Sequence, residues 1–160
     1  MERGAILLFH FVGLGLLVTA IVAGSILNRQ YRKAPDLTTK ATILRSLRPI
    51  GLLSPVGMLL MLVTGIGNMH ELGYSALDLP GWLAYKIVFF AIAVISGVLF
   101  SVKSRRRAVL VQQLASGKAP ADAEAMLDRQ DRQITLFYVV LPLVFLVILA
   151  LSITGRLGGQ

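Results

Sequence analysis

Apolar residues fall in four long runs, at 5–27, 50–69, 82–102 and 134–154, separated by short polar connections. About 20 apolar residues at 1.5 Å per residue cross a hydrocarbon core of about 30 Å. The pattern therefore predicts an all-α chain, a four-helix transmembrane bundle forming one membrane domain over residues 1–160. It leaves no length for a separate soluble domain.

The polar punctuation refines these elements. Pro35 breaks the chain, and Asp36 can cap a new helix that runs amphipathically through Ile43 and Leu47 toward the second span. Pro49 and Pro55 predict kinks there, and Pro142 a bend in the fourth helix, because each removes a backbone donor. Helical composition continues over 106–115 until Ser116 and Gly117. Pro120 suits a first helical turn, with Asp122 and Glu124 complementing its dipole. The third and fourth helices should thus project beyond the membrane as a short hairpin.

Composition agrees. Of 160 residues 56% are hydrophobic and 15% charged, with mean hydropathy +0.75; soluble domains carry roughly 45–50% apolar and about 25% charged residues. The first run is longer than a signal-peptide core and Glu2 offsets Arg3, so it reads as a retained helix. There is no cysteine, which excludes disulfides, thiolate metal sites, iron–sulfur clusters and thiol nucleophiles.

Charge sets the orientation. The connection after the first span carries Arg29, Arg32, Lys33, Lys40, Arg45 and Arg48. The one after the third carries Lys103, Arg105, Arg106, Arg107, Lys118, Arg129 and Arg132. Only Arg3, Lys86 and Arg156 lie elsewhere, and the 70–81 connection has Glu71 and Asp78 with no Lys or Arg. The positive-inside rule makes the basic connections cytoplasmic and both termini periplasmic, in a bacterial inner membrane. The net charge of +8 does not point to nucleic acid, because the basic residues flank apolar spans without interleaved stacking aromatics. They read as topology determinants, aided by membrane lipids with anionic head groups. The five acids on that side, Asp36, Asp122, Glu124, Asp128 and Asp131, read as solvated surface.

The periplasmic third holds the candidate chemistry. His10 lies about five residues inside the first span, where ionisable groups are costly and are functional candidates by default. Its helical face continues through Gly13, Leu17, Ala20 and Gly24. Such a groove suits a flat cofactor such as heme b with His10 as axial ligand, or equally a closely packed helix. His70 ends the second span on the same side; with His10 it could ligate heme iron or a metal. Trp82 and Tyr85 resemble an interfacial aromatic belt, and Lys86 either snorkels there or holds a carboxylate of a porphyrin-like ligand. Met58, Met61 and Met69 share one face of the second helix, as flexible packing or soft copper ligands. Catalytic triads, paired buried carboxylates and helical zinc motifs are absent.

His10, the Arg-rich approach to the second span, the loop closing in Pro80-Gly81-Trp82, and Lys86 four residues on together resemble the CopD/HemJ-like group of small bacterial membrane proteins. The layout is closest to that group's uncharacterised four-helix families. HemJ-type protoporphyrinogen oxidases are similar in carrying a helix-1 histidine and a Trp-x-x-x-Lys start to helix 3. The resemblance implies a heme-associated redox role for His10, Trp82 and Lys86. This chain departs from it at Leu17, where the family has tryptophan, and at Gly97, where it has a second histidine. The alternative is a non-catalytic accessory subunit whose small-residue faces dock in a homo-oligomer or a larger membrane complex. A permease is a weaker third reading, since no intramembrane acid is available to bind a cation.

Overall fold

Each apolar run lies inside a longer helix. The computed structural model describes residues 3–75 and 78–157. Its helices are α1 (Arg3–Lys33), α2 (Leu37–Glu71), α3 (Gly81–Ala115) and α4 (Ala123–Leu157). All four are long and apolar enough to cross a membrane. The 35 residues of α2, α3 or α4 make a rod of about 52 Å, well beyond the roughly 30 Å that lipid requires. The surplus turns of all three lie at the end bearing the basic connections. That end is called the basic end here, and the opposite one the terminal end.

Local chemistry sets the boundaries. The Asp36 carboxylate accepts from the Thr39 amide at 2.8 Å and from its hydroxyl at 2.7 Å, which caps α2. From there α2 continues unbroken through Pro49 and Pro55. Ser116 closes α3, and Gly117 follows at φ +68°, a left-handed conformation that glycine adopts without Cβ strain. One expectation is corrected. Pro120 does not open the fourth helix but sits in the turn before it, its carbonyl accepting from the Ala123 amide. Asp122 takes the capping position, its carbonyl accepting from Met126.

The helices form two antiparallel hairpins, α1 on α2 and α3 on α4. Contact between α2 and α3 is thinner, that between α1 and α4 thinner still, and α1 lies diagonally from α3. Between 11% and 22% of each apolar window is buried, so most of its surface is left for lipid. Where the helices do touch, small residues permit it. A Cβ on Gly57 would stand 2.7 Å from the Gly13 carbonyl oxygen, so these backbones meet directly. Gly97 leaves room for the Met58 methyl, and Gly155 lies under the Trp82 ring.

Beyond the apolar runs, the basic end has a different interior. Tyr31, Leu110, Val111, Ala123 and Leu127 form a buried cluster, flanked by Ala41, Ile43 and Leu44 of α2. The hairpin of α3 and α4 does not stand alone here. All four helices reach into this region, because the amphipathic start of α2 and the last turn of α1 cover the apolar stripe of α3 and α4.

Candidate functional site

Two polar centres lie at opposite ends of the bundle. At the terminal end the half-buried His10 meets Thr64 of α2, with Nδ1 2.8 Å from Oγ1. The Thr64 hydroxyl donates to the Leu60 carbonyl one turn earlier. A hydroxyl has a single proton, so with that proton committed Thr64 accepts from His10. In a neutral imidazole this places the proton on Nδ1.

The small-residue face below His10 is buried and filled. Gly57, Leu60 and Met61 press on Gly13, and the Tyr138 ring covers Gly24. A porphyrin plane does not fit this groove, because α2 and Tyr138 already occupy it. His10 itself is half-buried.

The other sequence candidates are dispersed around that end. His70 is exposed and lies six residues beyond Thr64, about 9 Å further along α2 and about 120° around it. Trp82 stacks over Gly155 and meets Tyr74 edge-on at 6.5 Å between ring centroids. Lys86, half-buried, sits one turn past Trp82 on α3. Met61 packs toward α1 and Met58 toward α3, which divides the methionine face between two neighbours. Among the described residues, no three His, Asp or Glu side chains are grouped to hold a metal ion.

The centre at the basic end was not anticipated. Arg107 of α3 is 1% exposed. Its Nη1 donates to Asn28 Oδ1 of α1 at 2.7 Å and approaches Asp131 Oδ1 of α4 at 3.4 Å. The guanidinium lies 4.5 Å from the centroid of the buried Tyr31 ring, a cation–π distance. Thr135 donates to the Asp131 carbonyl at 2.8 Å and is itself within 3.5 Å of Asn28 Nδ2. Arg107 thus joins helices whose backbones do not touch, α1 and α3 across the diagonal.

This corrects the reading of the basic connections as uniform surface. Asp131 keeps only 18% side-chain exposure, whereas Asp36, Asp122, Glu124 and Asp128 are exposed as expected. Arg105 and Arg106 have the same composition as Arg107, so charge alone could not single it out. The available signal was periodicity. Arg107 shares a helical face with Leu110, Val111 and Leu114, and Asp131 one with Leu127 and Ile134.

Beside this network a groove of about 530 Å³ opens, lined by Arg32 of α1, Lys40 of α2, and Asp128, Asp131, Arg132 and Leu136 of α4 among others. Arg132 pairs with Asp128 at 2.8 Å, and Lys40 Nζ lies 5.4 Å from the Tyr31 ring centroid. Nearby, the Thr39 amide holds the Asp36 carboxyl below its ordinary range.

Compared with protein-family models, curated proteins and solved structures, the chain matches none.

Proposed function

We propose that this chain is a multi-pass protein of a bacterial inner membrane, basic end in the cytoplasm, serving as a non-catalytic subunit of a larger membrane assembly. The observation that carries this reading is the sealed face of α1. The residues suited to seat a cofactor are spent on packing α2 and Tyr138. What remains outward is a broad apolar surface, including Leu8, Phe11, Leu52, Ile66, Ile95 and Leu143, available to lipid or to partner helices. Gentle detergent extraction followed by native electrophoresis tests it. Co-migration with partner proteins, or a multiple of the chain mass, is the expected outcome; a lone species at every detergent ratio removes the reading.

A second reading rests on the His10–Thr64 hydrogen bond. Metal-ligating histidines commonly donate one ring N–H to an oxygen acceptor, which orients the other nitrogen. Thr64 supplies such an acceptor. This supports a redox role of the CopD/HemJ-like type, with heme or a metal held at His10, and with Lys86 and Trp82 on the same end. Bound heme would supply the electron-transfer chemistry. A Soret band that His10→Ala weakens is the predicted signature, and a colourless, metal-free preparation from heme-replete cells rules it out.

A further inference from the structure

We infer that the groove at the basic end is a binding site for the head group of an anionic phospholipid. Arg32, Lys40 and Arg132 bring cations from three helices to one opening. Of the two acids in its wall, Asp131 faces Arg107 and Asp128 is held by Arg132. Among the described residues neither Arg32 nor Lys40 has an acid within ion-pair distance. With Arg107 behind the wall, the site keeps a net positive field, and Lys40 and Arg32 are positioned to donate to phosphate oxygens.

The groove also has direction. From its charged rim it runs along α4 to Leu136 and Val139, which are 62% and 58% exposed. Those residues begin the apolar span of α4, so the groove straddles the line where head groups give way to acyl chains. A free phosphate would use only the rim, whereas a phospholipid matches both halves. The occupant would clamp the weakly joined α1 and α4 at the end where Arg107 already ties them. This inference rests on the chain spanning a membrane with its basic end at a leaflet surface.

The test reconstitutes the full-length protein in nanodiscs of phosphatidylcholine with or without phosphatidylglycerol. Phosphatidylglycerol retained through delipidation is quantified by native mass spectrometry, alongside thermal unfolding. Retention and a raised melting temperature with phosphatidylglycerol are expected for the unaltered chain. Arg32→Gln with Lys40→Gln should weaken retention roughly tenfold or more, since two of the three cations at the opening are removed. Arg45→Gln with Arg48→Gln removes the same charge outside the groove and should retain the lipid. Equal loss in both pairs would mean diffuse surface attraction and overturns the site. Equal stabilisation by inorganic phosphate in pure phosphatidylcholine discs overturns the lipid as occupant. Failure of the protein to float with vesicles would instead remove the membrane reading beneath it.

Discussion

The two ends of this bundle are held by different physics. Through the apolar spans, helices approach through Gly13, Gly57, Gly97 and Gly155, and many large apolar side chains are left facing outward. Lipid offers no hydrophobic drive between such helices, so close backbone contact supplies the attraction. At the basic end the helices bury Tyr31, Leu110, Val111 and Leu127 as a water-soluble bundle would, and set Arg107, Asn28 and Asp131 among them. The first region depends on what its side chains lack, and the second on an arginine that few cores could hold.

The comparison can be broken most forcefully at Arg107. Arg107→Met removes the nearest counter-charge of Asp131 and the donor to Asn28 Oδ1. Breaking a fully buried pair costs about 3–5 kcal/mol; the residual solvent access of Asp131 places the expected loss nearer 2–4 kcal/mol. Reversible unfolding in mixed micelles measures it. The second change Asp131→Leu should recover much of that loss. If the double variant is no better than the single one, the pair is not what holds the end together.

At the lipid-embedded crossing, Gly57→Val pushes a side chain into the Gly13 carbonyl and Leu17. A loss of about 1–3 kcal/mol is expected, with α1 and α2 splayed apart. Gly15→Val, where an added Cβ meets nothing within 4 Å, should be near neutral. Cross-linking yields between α1 and α2 would report the difference, and similar behaviour of the two variants would contradict the direct Gly13–Gly57 approach.

Thr64→Val is milder. It removes the acceptor of His10 Nδ1 and should cost about 0.5–1.5 kcal/mol. Imidazole nitrogen chemical shifts should show the Nδ1–H tautomer in the unaltered protein and a mixed population in the variant. Unchanged shifts would remove Thr64 as the group that fixes the ring.

The smallest effect belongs to the Asp36 cap, and it depends on pH. Because the folded carboxyl titrates below the ordinary aspartate range, its stabilisation is complete above that range. It is lost as pH falls through the lowered folded value. Protection of the first-turn amides of α2 against exchange, relative to the intrinsic rate at each pH, should therefore fall on acidification below about pH 4, and Asp36→Ala should abolish that pH dependence.

Much of the fold was legible because lipid imposes a length and a composition that any sequence must declare. The four spans could be read for that reason, the Asp36 cap and the Ser116-Gly117 stop from local residue preferences, and the small-residue face of α1 stood out by its spacing. What filled that face could not be read. Packing with α2 and seating a flat cofactor ask for the same small residues, and only the position of Gly57 and Tyr138 separates them. The Arg107 centre was hidden for a related reason. Three consecutive arginines differ only in which way each faces, and that is set by where α1 and α4 lie around α3. Sequence by itself determined that the chain forms four long apolar helices with one basic end, since local periodicity and charge suffice for that. Tertiary structure alone decided which arginine is buried, which acid answers it and which groove is sealed, because those depend on helices brought together from distant parts of the chain.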